Sequence, residues 1–158
     1  MVGEISRRKM VVELGAAVAA LAGLSRIAAG ATRGEAMIVY KDPSCGCCGK
    51  WIEHVKAAGF TVSVQDTPNM DAIKQRYKVG DALKSCHTAV VGGYVVEGHV
   101  PAADIKRLLV EKPKVAGLTI PGMPASAPGM DMTPFRPYDV LAFDGTGKTT
   151  VFAKHATA

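Results

Sequence analysis

Apolar and polar positions change rhythm several times along this chain, and each change marks an element. Residues 36–40, Ala36-Met37-Ile38-Val39-Tyr40, form a short apolar run rich in strand formers. Pro43-Ser44 ends it. Residues 47–58 then take up helical spacing, with Trp51, Ile52, Val55 and Ala58 on one apolar side and Gly59 placed to cap the end. Residues 60–64 alternate as a half-buried strand does. Pro68-Asn69 opens a second helix over 70–77, with Ile73 and Tyr77 facing inward, and 79–84 is a connection. Residues 88–91 and 94–96 predict two short strands around Gly92-Gly93, a tight-turn hairpin signal. Pro101 stands at the first position of a third helix that runs through Leu108 and Leu109 to Glu111.

The order is that of an α/β fold, thioredoxin-like β-α-β-α-β-β-α. A helix joins the first two strands, so they should be parallel, while the last pair should be antiparallel. In such a fold the reactive groups sit at the carboxyl ends of the strands. Beyond the third helix the pattern breaks down: residues 113–137 hold six prolines, three glycines and the methionines Met123, Met130 and Met132. This Pro/Gly/Met-rich tail reads as irregular chain. Residues 140–143 and 149–153, separated by Asp144-Gly145-Thr146-Gly147, then predict a C-terminal β-hairpin over 140–153, which brings the tail back to the domain.

The first residues follow a different logic. Ser6-Arg7-Arg8-Lys9 is a twin-arginine start, residues 14–24 are apolar, and Ala29-Gly30-Ala31 resembles a cleavage site. Residues 1–31 therefore predict a twin-arginine-like export signal, cut near Ala31, and a periplasmic mature protein. The apolar run is short for a membrane span of about 20 residues. Residues 32–158 are then a single domain of 127 residues, with 15 Lys+Arg against 12 Asp+Glu. A net charge of +3 with no basic cluster argues against nucleic acid or an anionic membrane as a partner.

The candidate chemistry lies in sulfur. Three of the four cysteines are Cys45, Cys47 and Cys48, at the junction of the first strand and helix, where a helix N-terminus favours thiolates. The fourth, Cys86, precedes His87 and the third strand. Two structural disulfides fit poorly, because pairing neighbours such as Cys47 and Cys48 closes a cramped ring. As ligands, thiolates suit soft Cu(I), and the thioethers of Met123 and Met130 point the same way. Zinc is the competing metal, but structural zinc sites usually draw on two separated cysteine knuckles. His87 is a further candidate ligand if the backbone departs from a regular strand, on which neighbours face opposite ways. The other histidines read as bystanders. His54 lies two helical turns from Cys47, His99 is a local hydrogen-bonding residue before Pro101, and His155 is solvated. The alternative reading is a thiol-disulfide oxidoreductase using the Cys-x-x-Cys spacing of Cys45 and Cys48, with or without coupling to copper redox.

Tyr40-Lys41-Asp42-Pro43-Ser44-Cys45-Gly46-Cys47-Cys48, Trp51, Ser85-Cys86-His87-Thr88-Ala89, Glu97-Gly98-His99-Val100-Pro101, Gly122-Met123-Pro124 and Pro128-Gly129-Met130 occur in order. Together they resemble a family of small exported bacterial proteins of unknown function, the CopG-type proteins associated with copper resistance. The resemblance runs from Ala36 to the C-terminal hairpin. It implies a thioredoxin-like fold, a location outside the cytoplasm, and copper bound through Cys45, Cys47, Cys48 and Cys86. A metal ion is the expected partner, with other periplasmic copper-handling proteins as further candidates. The resemblance leaves sequestration, delivery and redox change of copper open.

Overall fold

Short strands and three helices build a mixed α/β structure in which every described strand joins one sheet. The computed structural model describes residues 34–157, so the predicted export signal lies outside the described residues. In chain order the elements are β1 (Ala36–Lys41), α1 (Gly46–Ala57), β2 (Thr61–Asp66), α2 (Met70–Arg76), a 3-10 turn (Asp81–Leu83), β3 (His87–Val91), β4 (Tyr94–Glu97), α3 (Ala102–Glu111), β5 (Gly117–Thr119), β6 (Tyr138–Phe143) and β7 (Thr149–His155). The strands lie in the order β2-β1-β3-β4-β5-β6-β7. β1 and β2 are parallel, and β3 runs antiparallel to both β1 and β4. The sequence of elements up to α3 and these strand senses agree with the apolar pattern.

Local chemistry sets the boundaries. At the end of α1 the Gly59 N–H donates to Lys56 O (2.9 Å) and the Phe60 N–H to Val55 O (3.2 Å), with Gly59 at φ +98°. This paired closure needs the left-handed residue that glycine supplies without strain. Gly92 and Gly93 both have positive φ, which matches the twist of the β3–β4 hairpin. Pro101 caps α3 from just outside its first residue.

Three features depart from the pattern. β5 lies inside the tail expected to be irregular. It pairs parallel with β4 and antiparallel with β6, so the C-terminal hairpin extends the main sheet. Its three residues, Gly117-Leu118-Thr119, are all buried and too few to show a period. β2 is an edge strand and mostly exposed, not half-buried. In α2 the buried residue is Lys74, while Ile73 and Tyr77 are only half-buried.

The main core lies between the sheet and helices α1 and α3, and includes Met37, Val39, Trp51, Val55, Val96, Ile105, Leu108 and Leu118. Val95 alternates with Val96 along β4 and joins Val79, Leu83 and Phe143 in a smaller cluster on the other face. Among the described residues no helix is long and apolar enough to cross a membrane. β1 places the cysteines beyond its carboxyl end. At its start, Gly34 lies so close to Gly59 that a side chain there would overlap the Gly59 carbonyl, and Thr61 N donates to Glu35 O (3.0 Å).

Candidate metal centre

A hydrogen-bonded turn delivers the cysteines. The Ser44 N–H and hydroxyl both donate to Asp42 Oδ1 (2.8 and 2.5 Å), and the Cys45 N–H donates to Asp42 O (3.0 Å). The Ser44 hydroxyl bond first, then the Ser44 backbone bond, hold the Asp42 carboxyl below its ordinary range. Cys45 becomes the N-cap of α1, and Cys47 and Cys48 fall in the first turn. The amides of that turn have no partner within the helix.

Cys45 and Cys48 are joined by a disulfide, and Cys47 and Cys86 are free. Cys47 Sγ stands 3.6 Å from Cys45 Sγ. The sulfurs of Cys45, Cys47, Cys48 and Cys86 all lie within 4.8 Å of one another. Two thiolates on opposite sides of one soft metal ion are about 4.6 Å apart, given metal–sulfur bonds of about 2.3 Å. The spacing therefore fits a shared ion once two electrons and two protons have opened the disulfide into thiols.

Cys86 reaches the loop because Ser85 and Cys86 precede the regular part of β3, where the backbone bends. The bend overcomes the opposite-face rule for neighbours: Cys86 Sγ lies 3.3 Å from His87 Nδ1. On its other side, Cys86 Sγ is 3.0 Å from His99 Nε2. His99 Nδ1 is 2.7 Å from Pro128 O, and a carbonyl only accepts, so Nδ1 carries the proton and donates. Nε2 then presents its lone pair to Cys86, and the Pro128 carbonyl that holds Nδ1 fixes the ring in an orientation suited to a ligand. Cys48, Cys86, His87 and His99 form a second group whose ligand atoms lie within 4.8 Å of one another.

Burial dominates the electrostatics. Desolvation, then the neighbouring Cys47, push the Cys86 thiol up to about 12. His87 is fully buried and held well below its ordinary value, by desolvation first and then by His99 and Lys74. Burial also lowers His99, against the opposing effect of its bond to Pro128. Trp51 packs on the His87 ring with centroids 4.2 Å apart, and its Nε1–H donates to Val100 O (2.9 Å). Among the described residues, His87 Nε2 is the buried side-chain nitrogen or oxygen without a hydrogen-bond partner. A buried polar nitrogen left unpaired is uncommon, and the other ring nitrogen, Nδ1, is the one that meets the Cys86 sulfur.

The fold thus brings Cys45, Cys47, Cys48, Cys86 and His87 together. Met130 is half-buried against the core, carried by a segment whose Gly129 abuts the Trp51 backbone, and Met123 is 54% exposed. His99, which the sequence suggested was a local hydrogen-bonding residue, is buried beside Cys86. His54 stays outside the centre and accepts the Ala102 N–H (3.1 Å) at the start of α3. His155 is not simply solvated: its Nε2 pairs with Asp104 (2.7 Å) and its ring stacks on Tyr138.

A family model described as a protein of unknown function, DUF411, matches residues 83–130, which span Cys86, both centre histidines and the tail as far as Met130. No curated protein matches the chain. Two solved structures of copper resistance protein CopG, Form 1 and Form 2, are each 41% identical to it with a TM-score of 0.73. The matches cover 78% and 77% of this chain and 98% of each CopG chain. Identity at that level over nearly the whole of the solved chains shows the family: the chain belongs to the CopG-type copper resistance proteins.

Proposed function

We propose that this protein is a periplasmic copper-binding protein that holds Cu(I) through the thiolates of Cys45, Cys47, Cys48 and Cys86 and acts in copper handling or tolerance. The observation that carries the reading is the approach of four sulfurs within 4.8 Å of one another. Soft thiolates suit Cu(I), and His87, grouped with Cys48, Cys86 and His99 within 4.8 Å, is an additional donor. His99 takes the role of a further ligand or of an anchor for Cys86. Met123 and Met130 supply thioethers in the same tail. The names of the CopG structures support copper as the metal, and the twin-arginine-like start supports export.

Titration of the reduced protein with Cu(I), under argon and against a chromophoric chelator, tests the reading. Ligand loss should cost more than the roughly 10–100-fold typical of an outer-shell partner, so Cys86→Ser should weaken binding by over about 100-fold. Unchanged affinity after all four cysteines are replaced by serine would sink the proposal.

The Cys45–Cys48 disulfide specifically favours a second reading, a thiol-disulfide oxidoreductase. Attack of an external thiolate on one of these sulfurs would form a mixed disulfide and release the other as a thiolate. That reading requires metal-free turnover on a disulfide substrate, abolished by Cys45→Ser and by Cys48→Ser.

A further inference from the structure

Below the sulfurs lies a buried polar cluster that the copper reading does not use. Glu97 is fully buried at the end of β4, and Lys74 of α2 is 4% exposed. The Lys74 ammonium and the Ser85 N–H (2.7 Å) donate to Glu97 Oε1, and the Thr88 hydroxyl donates to Oε2 (2.6 Å). Lys74 Nζ also donates to Thr88 Oγ1 (3.3 Å). One carboxylate thus grips the chain at residues 85 and 88, on both sides of Cys86-His87.

We propose that Glu97 is a positioning residue, whose carboxylate fixes the Ser85–Thr88 segment and so sets where Cys86 meets the other sulfurs. This rests on the copper-binding reading above and adds a residue that touches no metal. A buried ion pair adds little stability over well-packed apolar side chains, so stability alone does not explain this one. Its geometry does. An apolar pair could fill the space, but it could not accept the Ser85 N–H and the Thr88 hydroxyl at once. Nearby bonds reinforce the same segment: Thr119 Oγ1 donates to Leu83 O (2.8 Å), the Gly122 N–H to Lys84 O (3.2 Å), and the Ser85 hydroxyl to Gly122 O. These hold only the approach to Cys86. Glu97 alone among these groups spans it. Metal–ligand distances are held to about 0.2 Å, so small shifts of this backbone matter to the centre.

The test uses the full chain, reduced, with two readouts. The first is the alkylation rate of Cys86 relative to Cys47 in metal-free protein, measured with iodoacetamide and peptide mass spectrometry. The second is Cu(I) affinity by chelator competition. Glu97→Gln and Thr88→Val should each raise the Cys86:Cys47 rate ratio and weaken Cu(I) binding by about tenfold, the size of one charge-assisted hydrogen bond. Thr88→Ser keeps the hydroxyl and should stay within about twofold of wild type in both readouts. Leu108→Val, a buried change in α3, is the control for general loosening and should change both thiols together. A wild-type ratio in Glu97→Gln and Thr88→Val, or a parallel rise of both thiols as in the control, would overturn the proposal. Glu97→Gln leaves Lys74 buried without its counter-ion. If that variant does not fold, Thr88→Val against Thr88→Ser decides. The alkylation ratio needs no metal. A wild type that fails to hold Cu(I) therefore removes the copper reading, while the positioning role is still judged on its own.

Discussion

Three histidines, His54, His87 and His99, are kept below their ordinary imidazole value, each with burial as the largest cause. Their unfolded-state value is near 6.5, so the folded state resists protonation. The stability they contribute is present above that value and is lost as pH falls through their lowered folded values. Urea unfolding of the reduced, metal-free protein should therefore show a lower midpoint at about pH 5.5 than at about pH 7.5. In His54→Gln a non-titrating amide oxygen can accept the Ala102 N–H, and the difference between the two pH values should shrink. An equal difference would show that His54 does not contribute. At this scale the thiol cluster was plain in the sequence because its members are neighbours, while His99 was not. The signal was present in the hairpin register. Counting outward from Gly92-Gly93, Val91 pairs with Tyr94 and Thr88 with Glu97, and two steps further Cys86 faces His99. Reading His99 along the chain, beside Pro101, hid the partner across the turn. Lys74 was missed for a related reason: a lysine in a short helix gives no sign of burial until Glu97 stands opposite.

Among the elements, helices and longer strands were legible because each repeats its period several times. β5 escaped because three buried residues between prolines show no period; its partners on both sides create it. The tail that carries β5 also carries Gly129, at φ +85°, where a Cβ would stand 2.8 Å from Trp51 N. Gly129→Ala should cost about 1–3 kcal/mol by urea unfolding, from backbone strain together with that contact. Gly122 has φ +70° but open space around it, so Gly122→Ala should cost less. Equal losses would mean that the tail does not press on α1. The comparison isolates the contact because both residues share the left-handed backbone.

Across the described residues, one seven-stranded sheet joins the C-terminal hairpin to the strand that leads into the cysteine loop. The sequence showed that the tail returns, but not that β5 bridges it to β4, because the pairing depends on contacts far apart in the chain. Leu118 of β5 is fully buried in the same core as Trp51, the chain's one tryptophan. Leu118→Ala should cost about 2–5 kcal/mol. Unfolding followed by Trp51 fluorescence should shift together with that followed by far-ultraviolet circular dichroism. A tryptophan midpoint that stays put would show that the hairpin unfolds separately.

β1 carries a practical consequence of its own. Its six residues run from Glu35 and Gly34, pinned at Gly59, to the turn that presents Cys45, a span of roughly 20 Å. A fluorophore or solid support attached beside Gly34 therefore stands at the opposite end of β1 from the sulfurs. Protein immobilised there keeps the support a strand's length from the sulfurs, so uptake or capture on a sensor surface reads the site away from the attachment point.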